Sequence, residues 1–135
     1  MSNEIEYIKR FHGQLDPYII LGYKMGIYAL ELLNCDLYWD MKIFAKMGHK
    51  PPITLVLDGL QLSTGCTFGK GNIKNEKLNE NEVVFYFDNN ICKIKIKANI
   101  LKEIENSTDK ENLALKYFKL EPSIFFKMEL SLTKI

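Results

Sequence analysis

The chain has 135 residues, a mass of 15.7 kDa and a formal net charge of +1. This length suffices for one hydrophobic core, and apolar and charged shares of 47% and 26% are those of an ordinary globular domain. The balanced charge argues against nucleic acid as a partner. No signal-like N-terminus or run of eighteen apolar residues points to secretion or a membrane, so a cytoplasmic protein is expected.

Two helices are predicted in the first quarter of the chain. Apolar residues at intervals of three over residues 3–11 predict a short amphipathic helix that ends near Gly13. Asp16 followed by Pro17 predicts the start of a second helix, over residues 17–33. The carboxylate can accept the free backbone N–H groups there, and proline lacks only an N–H that would be unpaired anyway.

The second helix is apolar on nearly all faces, which predicts that it is buried on most of them. Gly22 and Gly26 lie one turn apart on one side of this helix. Because glycine has no side chain, these positions would let another backbone come close. The expected companion is a sheet or a partner subunit.

The middle of the chain carries the strand signals. Part of residues 36–47 is predicted to be a strand, and "ITLVL" at residues 53–57 a buried one, because β-branched apolar residues favour strands. "DGLQLST" at residues 58–64 is predicted to be a short helix. Residues 82–88 and 91–97 flank an Asn-Asn pair and form the best hairpin signal. The isoleucines of the second hairpin strand should face the core and its lysines water.

The C-terminal part is predicted to be helical with a short last strand. Thr108 and Glu111 form a capping box, which predicts a helix that ends before Pro122. A weak alternation over residues 123–135 predicts the strand. The expected fold class is therefore α+β. We expect a single domain over residues 1–135, with a mostly antiparallel sheet packed against the long buried helix and a helical and short strand extension over 101–135.

The stretch "TGCTFGKGN" at residues 64–72 concentrates glycine, lysine and cysteine. It departs from a phosphate-binding loop, because the first interval is one residue short and Gly71 replaces the magnesium-binding hydroxyl. A weaker set of anion-binding backbone N–H groups remains open. Small neighbours should leave the sulfur of Cys66 approachable, and Lys70 would favour its thiolate. The alternative is that Cys66, like Cys35 and Cys92, only fills space in the fold.

His12 lies directly before the buried helix, four residues from Asp16. This spacing could bring both side chains to one point at the mouth of the helix. The alternatives are a hydrogen-bonded structural histidine and a simple helix cap. Asp58 and Gln61, three apart, could present oxygen ligands on one helix face. His49, in a proline-rich turn, is expected to be exposed.

"FHGQLDPYIILGYKMGIYALELL" and "DGLQLSTGCTFGKGN" resemble the FmdE family of formylmethanofuran dehydrogenase proteins over about residues 8–100. Members usually read F-H-G-H-x-C-P at the first motif, then D-x-x-Q, then T-G-C-T-x-G-K-G-N. The resemblance implies an α+β domain that dimerises and binds a metal, often zinc, in a cleft. It also implies a link to methanogenesis, through the molybdenum or tungsten enzyme complex that reduces carbon dioxide onto methanofuran.

The resemblance carries over to seven residues: His12, Asp16, Asp58, Gln61, Cys66, Lys70 and Asn72. Gln14 stands where the family usually has its second histidine, and Asp16 replaces the first motif's cysteine. A thiolate is a soft ligand and a nucleophile, whereas a carboxylate is a hard ligand and a helix cap, so a two-cysteine redox or zinc site is excluded. A mixed metal site of His12, Asp16 and Cys66 remains, with an open position.

The other matched residues imply a small-ligand site, in which Lys70 and the loop N–H groups hold a small anion together with Asn72, Asp58 and Gln61. The chain lacks the cysteine-rich module of many longer relatives, which weakens an electron-transfer role. Three functions are therefore compared: a metal- or ligand-binding domain, a dimeric interaction module without chemistry, and an enzyme with Cys66 as catalytic nucleophile and His12 as base. Against the third, the sequence identifies no group that would orient the imidazole.

Overall fold

The computed structural model describes residues 3–132. The helices are α1 (Asn3–His12), α2 (Pro17–Leu33), α3 (Val56–Thr64), α4 (Ala98–Asn106) and α5 (Lys110–Phe118). The strands are β1 (Lys42–Met47), β2 (Ile73–Asn75), β3 (Asn79–Phe87), β4 (Asn90–Ile96) and β5 (Phe126–Ser131). Single turns of 3₁₀ helix lie at Ile53–Leu55 and Pro122–Ile124.

The five strands form one sheet in the order β2-β1-β3-β4-β5. β1 and β2 are parallel, and every other neighbouring pair is antiparallel. The parallel pair needs a crossover, which α3 supplies. The predicted α+β class with a mostly antiparallel sheet is confirmed.

The sheet has one buried face, against which the long helix α2 packs. On β4, Cys92, Ile94 and Ile96 are buried while Lys93 and Lys95 are exposed. This alternation is the one predicted for the hairpin, and it follows from the two-residue period of a strand. The helix α2 itself contributes ten buried residues to the core, so its predicted burial is also confirmed.

The glycines of α2 meet another helix. A Cβ at Gly22 would overlap backbone atoms of Val56, and one at Gly26 would overlap the side chain of Ser63. Positions further along α2 therefore touch positions further along α3, so the two helices run in the same direction. The prediction of a close backbone is right, but the predicted companion is wrong. Here α3 occupies the place proposed for a sheet or a partner subunit.

The prediction of a strand over residues 53–57 is wrong. These residues form a 3₁₀ turn and the start of α3, in which Val56, Leu57 and Leu60 are buried at helical spacing. A run of five apolar residues does not distinguish a buried strand from a buried helix. The close contact with α2 decides the matter, because Gly59 fits against the α2 backbone only from a helix.

The predicted start of the last helix is displaced by one residue. Asp109 rather than Thr108 caps α5, and its carboxylate accepts the backbone N–H of Asn112 at 3.1 Å. The sequence analysis also missed α4 and the three-residue strand β2. The predicted last strand is β5, although residues 133–135 of that prediction lie outside the described residues. Within residues 3–132, no helix is long and apolar enough to cross a bilayer.

Candidate functional site

Three helix ends meet around the imidazole of His12. His12 is the last residue of α1, Asp16 caps the N-terminus of α2, and Asp58 lies in the first turn of α3. Helix N-termini favour negative charge and helix C-termini favour positive charge. Each of the three side chains therefore has the charge sign that its helix end favours.

The imidazole lies between two carboxylates. Nε2 of His12 is 3.0 Å from Oδ2 of Asp16, and Nδ1 is 2.9 Å from Oδ2 of Asp58. The side chains of His12 and Asp16 are 6% and 9% exposed, whereas that of Asp58 is 38% exposed. The other oxygen of Asp16 accepts the backbone N–H groups of Tyr18 and Ile19, at 2.7 and 3.1 Å. These four contacts fix the position of Asp16 and the plane of the imidazole.

The contacts of His12 set its hydrogen-bond chemistry. An ionised carboxylate can only accept hydrogen bonds, and only an imidazolium has two ring N–H donors. With both carboxylates ionised, both contacts are satisfied when the ring carries two protons. The cluster of His12, Asp16 and Asp58 can thus hold a proton between two acceptors, of which Asp58 is the one that reaches solvent. Asp16 and Asp58 are also the orienting groups that the sequence did not identify.

A cavity of about 600 Å³ opens beside Asp16. Its wall comes from the end of α1, the linker to α2, the start of α2, the 3₁₀ turn before α3, and the facing parts of α4 and α5. The lining residues are Lys9, Gly13, Gln14, Leu15, Asp16, Pro17, Tyr18, Pro52, Leu55, Glu105, Lys110 and Glu111. Its size and its partly apolar wall are typical of small-molecule sites. Asp16 belongs to both the cavity and the cluster of His12, Asp16 and Asp58.

Cys66 lies at the other end of α3 from this cluster. Asp58 is in the first turn of α3, and Cys66 follows its last residue, Thr64. At about 1.5 Å per residue, Asp58 and Thr64 are already about 9 Å apart along the helix axis. The structure therefore brings His12 to Asp16 and Asp58, and it does not bring Cys66 to this group.

The sulfur of Cys66 is buried, with no exposed surface. It donates to the carbonyl oxygen of Met41 at 3.3 Å. Burial raises the pKa of Cys66 from its ordinary value of 9.0, although a hydrogen bond with Thr64 and the charge of Lys70 act in the other direction. The expectations of an approachable sulfur and a favoured thiolate are wrong, because desolvation outweighs the nearby lysine.

The backbone N–H groups of "TGCTFGKGN" are mostly paired within the protein. Gly65 N–H donates to Gln61, as the left-handed cap of α3, and Thr67 N–H donates to the side chain of Asn72 at 2.9 Å. Phe68 N–H donates to the side chain of Gln61 at 3.3 Å. N–H groups engaged in this way are not available to hold an anion.

The polar side chains of the same loop fix the backbone around Tyr38. Asn72 donates to the carbonyl of Tyr38 at 2.7 Å, and Lys70 donates to the carbonyl of Gly65 at 2.6 Å. The ammonium of Lys70 also lies 4.9 Å from the ring centre of Tyr38 and 5.1 Å from that of Trp39. Tyr38 has a φ of 81°, an uncommon conformation for a bulky residue, and these contacts hold it there.

The donor set does not fit the metal site predicted from His12, Asp16 and Cys66. Zinc in proteins takes three or four protein ligands. Both ring nitrogens of His12 already face carboxylates, and the Cys66 sulfur faces backbone carbonyls. Among residues 3–132, no group of three or more His, Cys, Asp and Glu side chains is arranged to hold a metal ion.

The fold and the site together define an α+β domain with a histidine-centred cluster and an adjoining cavity. The family model described as "FmdE, Molybdenum formylmethanofuran dehydrogenase operon" matches residues 11–127. This match covers most of the chain, so the protein belongs to the FmdE family. The family resemblance read from the two motifs is confirmed.

Two individual proteins show the same relationship. A solved structure of an FmdE-like protein of tungsten formylmethanofuran dehydrogenase, from Syntrophus aciditrophicus, aligns with a TM-score of 0.69 at 18% identity. The alignment covers 97% of this chain and 71% of that one, and at this identity it shows the shared fold. A probable S-adenosyl-L-methionine-binding protein from Archaeoglobus fulgidus is 30% identical over 70 residues, which are 48% of this chain. The match spans only 18% of that protein's length.

The sequence analysis missed most of the cavity. Tyr18 and Glu105 line it, yet Tyr18 was assigned only to the apolar helix and Glu105 to an extension without a role. The cavity joins elements that are distant in the chain, and no local spacing identifies such a meeting. One usable signal was present, since a polar tyrosine directly after the Asp-Pro cap must lie near the helix mouth.

Proposed function

We propose that the chain is a small-ligand-binding domain of the FmdE family, with its ligand in the cavity beside Asp16. The observation that carries this proposal is the position of Asp16. Its carboxylate caps α2 and contacts His12, and the same residue lines the cavity. A ligand that reaches Asp16 is therefore coupled to the His12 cluster, and polar ligand groups gain affinity where they strengthen these contacts.

A two-dimensional NMR screen of the full chain tests this proposal. The compound set covers cations, anions and neutral molecules, and includes S-adenosylmethionine because of the name of the Archaeoglobus relative. We expect a subset to shift the backbone signals of Leu15, Tyr18 and Leu55. The variant Leu55→Trp narrows the cavity and should abolish these shifts. A screen in which no compound perturbs the cavity residues contradicts the proposal.

Metal binding is a separate prediction within the same experiment. A divalent metal such as zinc would use His12 and Asp16, the two predicted ligands that are in contact with each other. Elemental analysis of protein purified without added metal should then show a stoichiometric metal that His12→Gln removes. Wild-type protein without metal would leave the small ligand as the function of the site. Anion binding at Lys70 and Asn72 likewise stays a prediction, and inorganic phosphate is its probe in the NMR screen.

A second function, an interaction module, is favoured by an exposed group of large apolar side chains. We call Leu37, Tyr38, Trp39 and Phe68 the aromatic patch, and these residues are 44%, 54%, 69% and 50% exposed. Tryptophan and tyrosine are enriched among the residues that dominate binding at protein interfaces. The patch could pair two copies of the chain, or join the chain to the other components of a molybdenum or tungsten enzyme.

Sedimentation equilibrium tests the homodimer. The wild-type chain should sediment as a dimer and Trp39→Ala as a monomer, whereas the exposed control Tyr7→Ala should remain dimeric. A wild-type monomer over a wide range of concentration contradicts the homodimer. Co-purification with the components of the enzyme, compared between wild type and Trp39→Ala, then tests the complex.

A further inference from the structure

The cavity wall contains a buried tyrosine whose hydroxyl group has no partner. Tyr18 is 7% exposed and lines the cavity, and its hydroxyl has no hydrogen-bond partner within residues 3–132. Burial raises its pKa, and the carboxylates of Glu105 and Asp16 act in the same direction. The hydroxyl is thus neutral and can donate and accept. A buried polar group is normally hydrogen-bonded, so a partner from outside the chain is expected at this position.

The charged groups of the wall leave one charge unpaired. Lys9 lies 3.8 Å from Glu111, and the ammonium of Lys110 donates to the backbone carbonyls of Ile104 and Ser107. The carboxylate of Asp16 is occupied by two N–H groups and His12. What remains is Glu105, which has no cation within 4.0 Å in the described part of the chain.

Glu105 and the Tyr18 hydroxyl belong to the same part of the wall. The charge of Glu105 is the largest electrostatic influence on the Tyr18 phenol, ahead of that of Asp16. An unpaired carboxylate and a hydroxyl that can accept are together suited to a cationic N–H donor. An anionic ligand at the same place would be repelled by Glu105.

The rest of the wall is apolar. Leu15, Pro17, Pro52 and Leu55 present hydrocarbon to the cavity. An apolar ligand segment that covers them gains free energy in proportion to the area removed from water. The wall thus combines one anionic position with a larger apolar surface.

We infer that the cavity binds a small amphipathic amine, with its ammonium group at Glu105 and the Tyr18 hydroxyl and its apolar body against the leucines and prolines. The inference rests on the proposed function, because it names the chemical class of the ligand of that site. It assigns the head group to a different position from the His12 cluster, so Asp16 contacts the ligand from the side.

A matched pair of probes tests the ligand class. Hexylamine and hexanoate have the same number of carbon atoms and opposite charge, and hexanol is their neutral counterpart. Each is titrated into the full chain near neutral pH, and the backbone NMR shifts of Leu15, Tyr18 and Leu55 give the affinity. We expect hexylamine to bind at least about tenfold more tightly than hexanoate, which corresponds to about 1.4 kcal/mol.

Two substitutions locate the head group. Glu105→Gln removes the charge with little change of shape and should weaken hexylamine about tenfold while leaving hexanol unchanged. Tyr18→Phe removes only the hydroxyl and should weaken hexylamine by a smaller factor. Glu129→Gln, an exposed carboxylate on β5, is the control and should have no effect.

The outcomes separate this inference from the proposed function. If hexanoate or hexanol binds as tightly as hexylamine, or if Glu105→Gln leaves hexylamine binding unchanged, the amine class is wrong and the cavity remains a ligand site. If neither these probes nor any screened compound shifts the cavity residues, the proposed function and the inference both fail. Preference for hexylamine that is lost in Glu105→Gln supports both.

Discussion

The two ends of α3 use polar side chains in different ways. At the first turn, Asp58 contacts the side chain of His12, which also contacts Asp16, and a cavity lies beside them. Beyond the last residue, Lys70 and Asn72 bond to backbone carbonyls and Cys66 is buried. The first end has side chains that can exchange protons or meet a ligand. The second end has the residue types usually associated with catalysis, but they hold a loop in place.

The comparison teaches that the more distinctive sequence motif need not be the chemical site. "TGCTFGKGN" fixes the loop because glycine permits the left-handed cap at Gly65, and the asparagine amide bonds to two backbone segments. Backbone positions of this kind constrain the residue type as strongly as catalysis does. The cluster at His12 is sparser in sequence, and its members come from three separate helices.

The contact between the helices gives the largest expected effect, since both ends of α3 depend on it. A Cβ at Gly59 would overlap backbone atoms of Ile19 and Tyr23. We expect Gly59→Ala to lower the free energy of unfolding by about 3 kcal/mol, because this overpacking exceeds the about 1 kcal/mol gained from the helix preference of alanine. Urea unfolding followed by circular dichroism measures the change.

Gly69→Ala is the control for this substitution. The nearest atom to a Cβ there would be Oγ1 of Thr67 at 3.8 Å, an ordinary contact, so we expect a change within about 0.5 kcal/mol. Equal stability of the two variants would mean that α2 and α3 are not in backbone contact.

Removal of the imidazole tests the first end of α3. His12→Gln cannot satisfy both carboxylates in the same geometry, and the side chain of Asp16 is only 9% exposed. We expect a loss of about 2 kcal/mol in the free energy of unfolding, the size of a hydrogen bond to a charged group. His49→Gln, in an exposed turn, should be neutral. A loss as large in His49→Gln, or none in His12→Gln, contradicts the contacts described for the cluster.

The buried thiols give the second end a dependence on pH. Burial raises the pKa of Cys92 to about 11 and raises that of Cys66 above the 9.0 of an exposed thiol. The unfolded chain therefore loses these protons first, and the free energy of unfolding should fall as the pH rises from 9 towards 11. Urea unfolding at several pH values measures the slope, and Cys92→Ala should reduce it.

Alkylation by iodoacetamide examines Cys66 directly. The folded protein should react much more slowly at this residue than the protein in urea, because its sulfur is buried and protonated. Mass spectrometry of digested samples separates Cys66 from the other two cysteines. Reaction of folded Cys66 as fast as in urea would restore the hypothesis of a nucleophile.

The smallest effect is expected at the loop lysine. Lys70→Met removes the bond to Gly65 and the contacts with the rings of Tyr38 and Trp39, and should cost about 1 kcal/mol. Trp39 is the only tryptophan of the chain, so its fluorescence reports the change locally. The NMR signals of His12 should not move. A change at His12 would show that the two ends of α3 are coupled.

Local patterns predicted the fold well where one element decided its own structure. The Asp-Pro cap placed the start of α2, and the alternation over β4 identified its buried face. Prediction failed where packing decided between equal local alternatives. Residues 53–57 would suit a strand or a helix, and only the contact with α2 selects the helix.

The site was predicted in part for a similar reason. The spacing of four brought His12 and Asp16 together as expected, because the residues between them form one tight connection between helices. The pairing of His12 with Asp58 joins residues 46 apart. It depends on the parallel arrangement of α2 and α3, which no local signal contains. Burial of Cys66 was missed because flanking glycines suggest access, whereas Met41 and Tyr38 cover the sulfur from elsewhere in the chain.

The glycine contact between α2 and α3 has a consequence for protein engineering. Because backbone rests on backbone there, the separation of the two helices does not depend on the size of any side chain between them. The positions now held by His12, Asp16 and Asp58 can therefore be redesigned as a set without rebuilding the scaffold. Introducing a second histidine at Asp58 and a cysteine at Asp16, for example, would turn the same frame into a test bed for artificial metalloproteins.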